Sequence, residues 1–178
     1  MIDILIYVAV ALILVLAGLL AYAATKPDTF HVQRSTGINA PAERIFPLIA
    51  NLKSMNMWNP FLEPDPAIKI SYSGPDSGKG AVHTWSGNSK VGEGRIEITD
   101  AAPSSRVTMQ LDMLKPMKAR NAVEFTLQPN GNTTAVTWAM SGGQPFIGKL
   151  MTVFIDCDKM VGRQFEKGLG QLKAIAER

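Results

Sequence analysis

The spacing of apolar positions changes three times along the chain, and each change marks a different kind of element. Residues 4–24, ILIYVAVALILVLAGLLAYAA, carry no charge. As a helix this run is roughly 30 Å long, about the thickness of a bilayer's hydrocarbon core. It reads as a membrane-spanning helix. Ala21-Tyr22-Ala23 has the small-residue spacing of a signal cleavage site. However, only Asp3 precedes the run, with no Lys or Arg, and the run is longer than a usual signal core, so an uncleaved anchor is preferred. Lys26, Arg34 and Arg44 follow closely, which places the remainder on the cytoplasmic side by the positive-inside rule.

Residues 25–29 form a short polar tether containing Pro27. Phe30, Val32 and Ile38 predict a first strand broken by Gly37. In "NAPAERIF", Asn39 is a candidate N-cap with Pro41 in the first turn. A short helix is predicted over 41–49, with Pro47 as a kink or an end. "NLKSMNMW" predicts a second short helix or turn.

From residue 67 the period becomes two. Ile68, Ile70 and Tyr72 alternate with polar residues, and "AVHTWSG" continues the pattern. Further runs alternate at Ile96–Ile98, Val107–Met113, Val123–Leu127 and Val136–Met140. The turns "GPDSGKG", "DAAPSS", "KPMK" and "QPNGN" separate them. Consecutive strands with one apolar and one polar face predict an antiparallel meander covered on one side. The cover is predicted over 146–176, where Phe154, Cys157, Val161, Phe165, Gly168, Leu172 and Ile175 fall on one helical stripe. Gly168 on that stripe would allow a close approach by a strand or a ligand. The expected architecture is α+β, a curved antiparallel sheet of about seven strands around one long C-terminal helix. Two short helices follow the first strand, and the membrane helix precedes everything.

Composition narrows this further. With 178 residues there is room for one domain (26–178) behind the anchor (1–25). Net charge is +3 without a basic run or stripe, so nucleic acid is not an expected partner. A single cysteine, Cys157, excludes an internal disulfide and any multi-cysteine metal site.

These patterns, in this order, resemble the START-like or SRPBCC superfamily of helix-grip proteins, and within it the polyketide cyclase/dehydrase-like branch. The resemblance is carried by "FHVQRSTGINAPAERIFPLIANL", "WNPFLEPDPAIKISYSGPDSGKGAVHTWSGN", "GEGRIEI", "TTAVTWAM" and "FEKGLGQLK", which together cover most of residues 30–174. It implies an apolar cavity between sheet and helix, expected to exceed about 300 Å³. It also implies a hydrophobic small molecule or lipid as partner. Ligand-contacting candidates are Trp58, Phe61, Tyr72, His83, Trp85, Met109, Phe125, Trp138, Met140, Val161 and Phe165. Val107, Val136 and Phe154 are further residues expected, with Met109, Phe125, Trp138, Met140, Val161 and Phe165, to line the cavity or its base. In "MWNPFLEPDP" (57–66) the prolines hold an extended path, leaving Trp58 and Phe61 either to close the cavity mouth or to plug the core.

Catalytic chemistry is sparse. "GPDSGKG" lacks phosphate-loop spacing and joins two strands, so it reads as a hairpin turn; "GEG" at 92–94 reads as a bulge or turn. Only His31 and His83 are present, with no spacing for a metal site, and no cofactor is expected. Cys157 reads as a small buried hydrophobe. His83 lines the cavity if Trp85 faces inward and is solvated if Val82 does. Asp156 and Asp158 read as solvated surface. A membrane-held carrier or sensor of a hydrophobic ligand accounts best for the pattern. The alternative is a cyclase or dehydratase using His83, Tyr72 or Arg120 inside the cavity.

Overall fold

The computed structural model describes residues 2–178. A helix α1 (Ile2–Ala24) leads to strand β1 (Thr29–Ile38) and two short helices, α2 (Ala42–Ala50) and α3 (Leu52–Met55). Six strands follow: β2 (Lys69–Ser73), β3 (Val82–Ser86), β4 (Glu93–Ala102), β5 (Arg106–Lys115), β6 (Ala119–Asn130) and β7 (Thr133–Gly143). Helices α4 (Phe146–Phe154) and α5 (Cys157–Ala176) close the chain. The strands form one antiparallel sheet in the order β1-β7-β6-β5-β4-β3-β2. The architecture is the α+β helix-grip arrangement, with a seven-stranded sheet and α5 packed along β1 and β7. The core between them holds Ile38, Ile45, Ile49, Phe125, Val136, Phe165, Leu169 and Leu172. α1 is long and apolar enough to cross a membrane.

β1 is not broken at Gly37, which pairs with Ala135. The N-cap of α2 is Pro41 rather than Asn39. Its fixed φ of −69° pre-sets the entry, and its carbonyl accepts from Arg44 and Ile45. Asn39 instead donates its backbone N–H to Glu177. Pro47 does not end α2, since its carbonyl still accepts from Asn51. Asn51 caps α3 by accepting from the N–H groups of Lys53 and Ser54. β2 is an exposed edge strand, so its alternation of Ile70 and Tyr72 does not mark a buried face. "GPDSGKG" is the expected hairpin turn, with positive φ at Gly74, Gly78 and Gly80. "GEG" is likewise a bulge, marked by a register shift at Glu93/Gly94.

The long C-terminal helix is two helices. Ile155 is extended (φ −122°, ψ 123°), and the Asp156 carboxylate accepts from the Lys159 N–H as the N-cap of α5. Asp156 therefore has a capping role rather than being bare surface. The break detaches Phe154 from the apolar stripe and leaves it 72% exposed. Asp158 likewise has a partner: Arg34 of β1 donates to Asp158 and Glu166, clamping α5 to the sheet edge over Gly162. These bonds hold the Arg34 guanidinium well above its ordinary pKa and lower that of Asp158.

Candidate functional site

Between the concave face of the sheet and the N-terminal half of α5 lies a cavity of about 290 Å³. This is slightly smaller than expected and falls at the lower edge of small-molecule sites. The reason is aromatic filling. Trp138 of β7 stacks on Phe165 of α5 (centroids 4.2 Å apart) and meets Trp58 and Phe61 edge-on. This stack is close because α5 has Gly168 beneath it. A Cβ there would stand 2.8 Å from the Trp138 ring and 3.0 Å from Pro60.

Of the expected lining residues, Phe61, His83, Trp85, Trp138, Met140 and Phe165 stand on the wall. Met109, Phe125, Val107 and Val136 are core beyond its closed end. They face inward as their alternation requires, but the aromatic cluster separates them from the open space. Val161 packs against the core outside the wall, and Phe154 points away from the domain. The sequence reading missed Ile96, Leu111, Met113, Asn121 and Val123. Their alternation was visible, but which end of each strand remains unfilled depends on the register of all seven. Of the methionines, Met55, Met113 and Met140 line the cavity, whereas Met57, Met117, Met151 and Met160 are exposed.

The two aromatics of "MWNPFLEPDP" divide the alternatives between them. Trp58 is 1% exposed and donates its indole N–H to the Leu48 carbonyl at 2.9 Å, so it is a core plug off the cavity wall. Phe61 is 38% exposed and sits at the mouth with Asn59, Leu62 and Lys90. The segment is tied down at both sides. Glu63 accepts from Lys167 and Gln171 of α5, which lowers its pKa. Asp65 accepts from the backbone N–H groups of Ala67 and Asn88.

Trp85 faces inward, and so therefore does His83, which is 2% exposed. The Asn56 amide donates to Tyr72 Oη (2.7 Å) and to His83 Nε2 (3.4 Å), which puts the imidazole proton on Nδ1. The Tyr72 ring, half-exposed on the edge strand, stacks on His83 at 5.3 Å. Desolvation lowers the His83 pKa to about 4, so the ring is neutral near pH 7. Arg120 is not in the cavity; it is exposed and pairs with Asp112 on the outer face. Cys157 is half-buried, with its thiol pKa raised by burial, so it is a poor nucleophile. Asn121 adds a second polar group to the wall, with its buried Oδ1 unpartnered. The arrangement is an apolar cavity with two buried polar groups on its wall, one a neutral imidazole.

Solved structures share this fold. A protein from Chromobacterium violaceum matches with a TM-score of 0.59 at 14% identity, over 86% of this chain and 99% of its own. A Rhizobium loti protein matches with a TM-score of 0.54 at 22% identity (83% and 95% covered). The Aha1 dimer protein from Colwellia psychrerythraea matches at 0.58 and 19% (83% and 96%). None of the curated proteins compared with the chain matches it. The family described as "Polyketide cyclase / dehydrase and lipid transport" matches residues 29–177, from the start of β1 to the end of α5, and the chain belongs to that family.

Proposed function

We propose that the chain is a membrane-anchored binding protein, a carrier or sensor, for a hydrophobic small molecule or lipid held in the cavity. The observation that carries this reading is the wall. Leu111, Met113, Val123, Trp138, Met140 and Phe165 enclose an apolar space, with the half-exposed Phe61 on its rim. Membership of a family named for cyclases, dehydrases and lipid transport supports a hydrophobic ligand. The charge-free run 4–24 of α1 supports the anchor over residues 1–25, with 26–178 as the folded domain. Lys26 at its end supports a cytoplasmic domain.

The test is native mass spectrometry of full-length protein released from detergent, before and after lipid extraction. The unextracted protein should carry a small hydrophobic adduct. Extraction should remove it, and Leu111→Trp, which fills the cavity, should prevent it. Absence of any adduct, together with no uptake of a fluorescent fatty-acyl probe by extracted protein, would overturn the reading.

A second reading, an enzyme of the cyclase or dehydratase type, is favoured by one observation. His83 is a neutral, desolvated imidazole on the cavity wall with Nε2 accepting from Asn56, which leaves its Nδ1–H as a hydrogen-bond donor able to polarise a substrate oxygen. His83→Gln separates the two. A carrier keeps the same adduct, whereas a dehydratase accumulates one heavier by the elements of water.

A further inference from the structure

Strand register gathers several features at one end of the sheet. β1 begins there, β7 ends there, and the β5–β6 hairpin turns there at residues 115–119. α1 joins this end through residues 25–28, α4 leaves it, and the cavity residues Met113 and Asn121 lie on it.

At this end α4 is inside out. A surface helix normally turns its apolar stripe to the core and its polar side to water. In α4, Lys149 is buried and pairs with Asp28, and Thr152, which is not exposed, accepts from the Gln144 amide. Phe146, Ile147, Met151 and Phe154 point outward and are exposed. At the hairpin tip, Leu114 and Met117 are exposed as well, beside Lys115 and Lys118.

α4 also packs against α1. Over residues 3–24 of α1, only Leu19 and Ala23 are not exposed, and they lie one turn apart on one face. One turn further, Lys26 donates to the Tyr22 hydroxyl (3.0 Å) with its ammonium 4.5 Å from that ring's centroid. An aromatic and a basic residue so paired at the end of an apolar run mark the membrane–water boundary. Leu19 to Lys26 covers about 10 Å of helix, and helices lying in the interface bury their apolar face about 5–10 Å deep. The element that packs on α1 at interfacial depth is thus the one whose apolar side chains face away from the protein.

We propose that α4 and the tip of the β5–β6 hairpin form a second membrane contact. α4 lies in the plane of the leaflet boundary beside α1, with Phe146, Ile147, Met151 and Phe154 among the acyl chains. The hairpin tip enters the same leaflet through Leu114 and Met117. The contact rests on the reading of α1 as a membrane span, and it brings the cavity end of the domain against lipid, the phase from which a hydrophobic ligand would come.

The test uses the full chain with Cys157→Ser, reconstituted in nanodiscs of zwitterionic and anionic phospholipid. A single nitroxide is attached to Phe154→Cys, Met117→Cys, Val15→Cys or Asp76→Cys, and its accessibility to oxygen and to an aqueous nickel chelate is measured. Labels at 154 and 117 should favour oxygen, as should the control within α1 at 15. Asp76, in the turn between β2 and β3 at the opposite end, should favour nickel. Pairing Ile147→Asp with Met151→Asp, both at exposed positions, should lower the oxygen-to-nickel ratio at 117 several-fold. A lipid-exposed label at 15 with water-exposed labels at 154 and 117 would overturn this contact while leaving the anchor standing. A water-exposed label at 15 would overturn both. Dipolar broadening between labels at 154 without lipid exposure would assign the face to a second copy of the chain and overturn the membrane contact.

Discussion

His83 shows how one buried side chain sets a solution property. Its native pKa of about 4 lies below the ordinary 6.5 because burial disfavours the charged ring. Between those values the unfolded chain binds a proton at residue 83 that the native chain refuses. Stability contributed by neutral His83 is therefore complete above pH 6.5 and is lost as pH falls toward 4, by about 3 kcal/mol. The charged side chains on this side are Lys53, whose ammonium lies over the Tyr72 ring, and Lys90 on the cavity wall; burial alone accounts for the lowered His83 pKa. Denaturant unfolding of full-length protein between pH 4.5 and 7.5 should show this slope, and His83→Gln should flatten it. An unchanged slope in the variant would assign the loss to other groups. Trp58 and Phe61, three residues apart, should separate in the same assay. Trp58→Ala removes a fully buried ring and its hydrogen bond and should cost about 3–5 kcal/mol. Phe61→Ala, at a half-wet mouth, should cost less in stability but weaken fatty-acyl probe binding about tenfold, or ~1.4 kcal/mol. Equal stability losses with equal probe affinity would show that both are core.

At the scale of elements, α5 and β7 meet closely at Gly168. Adding a methyl at Gly168 favours the helix by about 1 kcal/mol, but the Trp138 ring and Pro60 occupy the space it needs, and overpacking costs about 1–3 kcal/mol. Gly168→Ala should therefore be net destabilising, and Gly168→Val more so, whereas Gly170→Ala, with open space around it, should stabilise. Thermal unfolding midpoints of the three variants check the order. The segment 59–66 is held to α5 by Glu63 through Lys167 and Gln171. Glu63→Ala should speed amide exchange across that segment and accelerate probe release while leaving exchange in β6 unchanged. Uniform exchange would show that the prolines alone hold the mouth.

For the whole molecule, α1 and the sheet are separate folding problems, joined by α4. Residues 26–178 expressed alone should unfold cooperatively, because the core draws nothing from α1 beyond Ala23. The exposed face of α4 should make that fragment self-associate, and Ile147→Asp with Met151→Asp should restore a monomer in sedimentation velocity. Insoluble or non-cooperative fragment would move the domain boundary. The sequence by itself determined the charge-free helix, the count and pairing sense of the strands, and the inward sets on β5, β6 and β7. Those are one-dimensional signals: a period of two, a charge-free length, a glycine-rich turn. Only the tertiary structure decided which end of the inner face is filled and which is empty, because that depends on where Trp58 and Phe165 meet Trp138 across elements distant in sequence. It also decided that one apolar run over 146–176 is two helices, one with its apolar face buried and one with its apolar face exposed. A helical stripe records that side chains are apolar, but not whether protein or lipid covers them. That depends on where Ile155 and Asp156 turn the chain and on which neighbour, α1 or the sheet, each half meets.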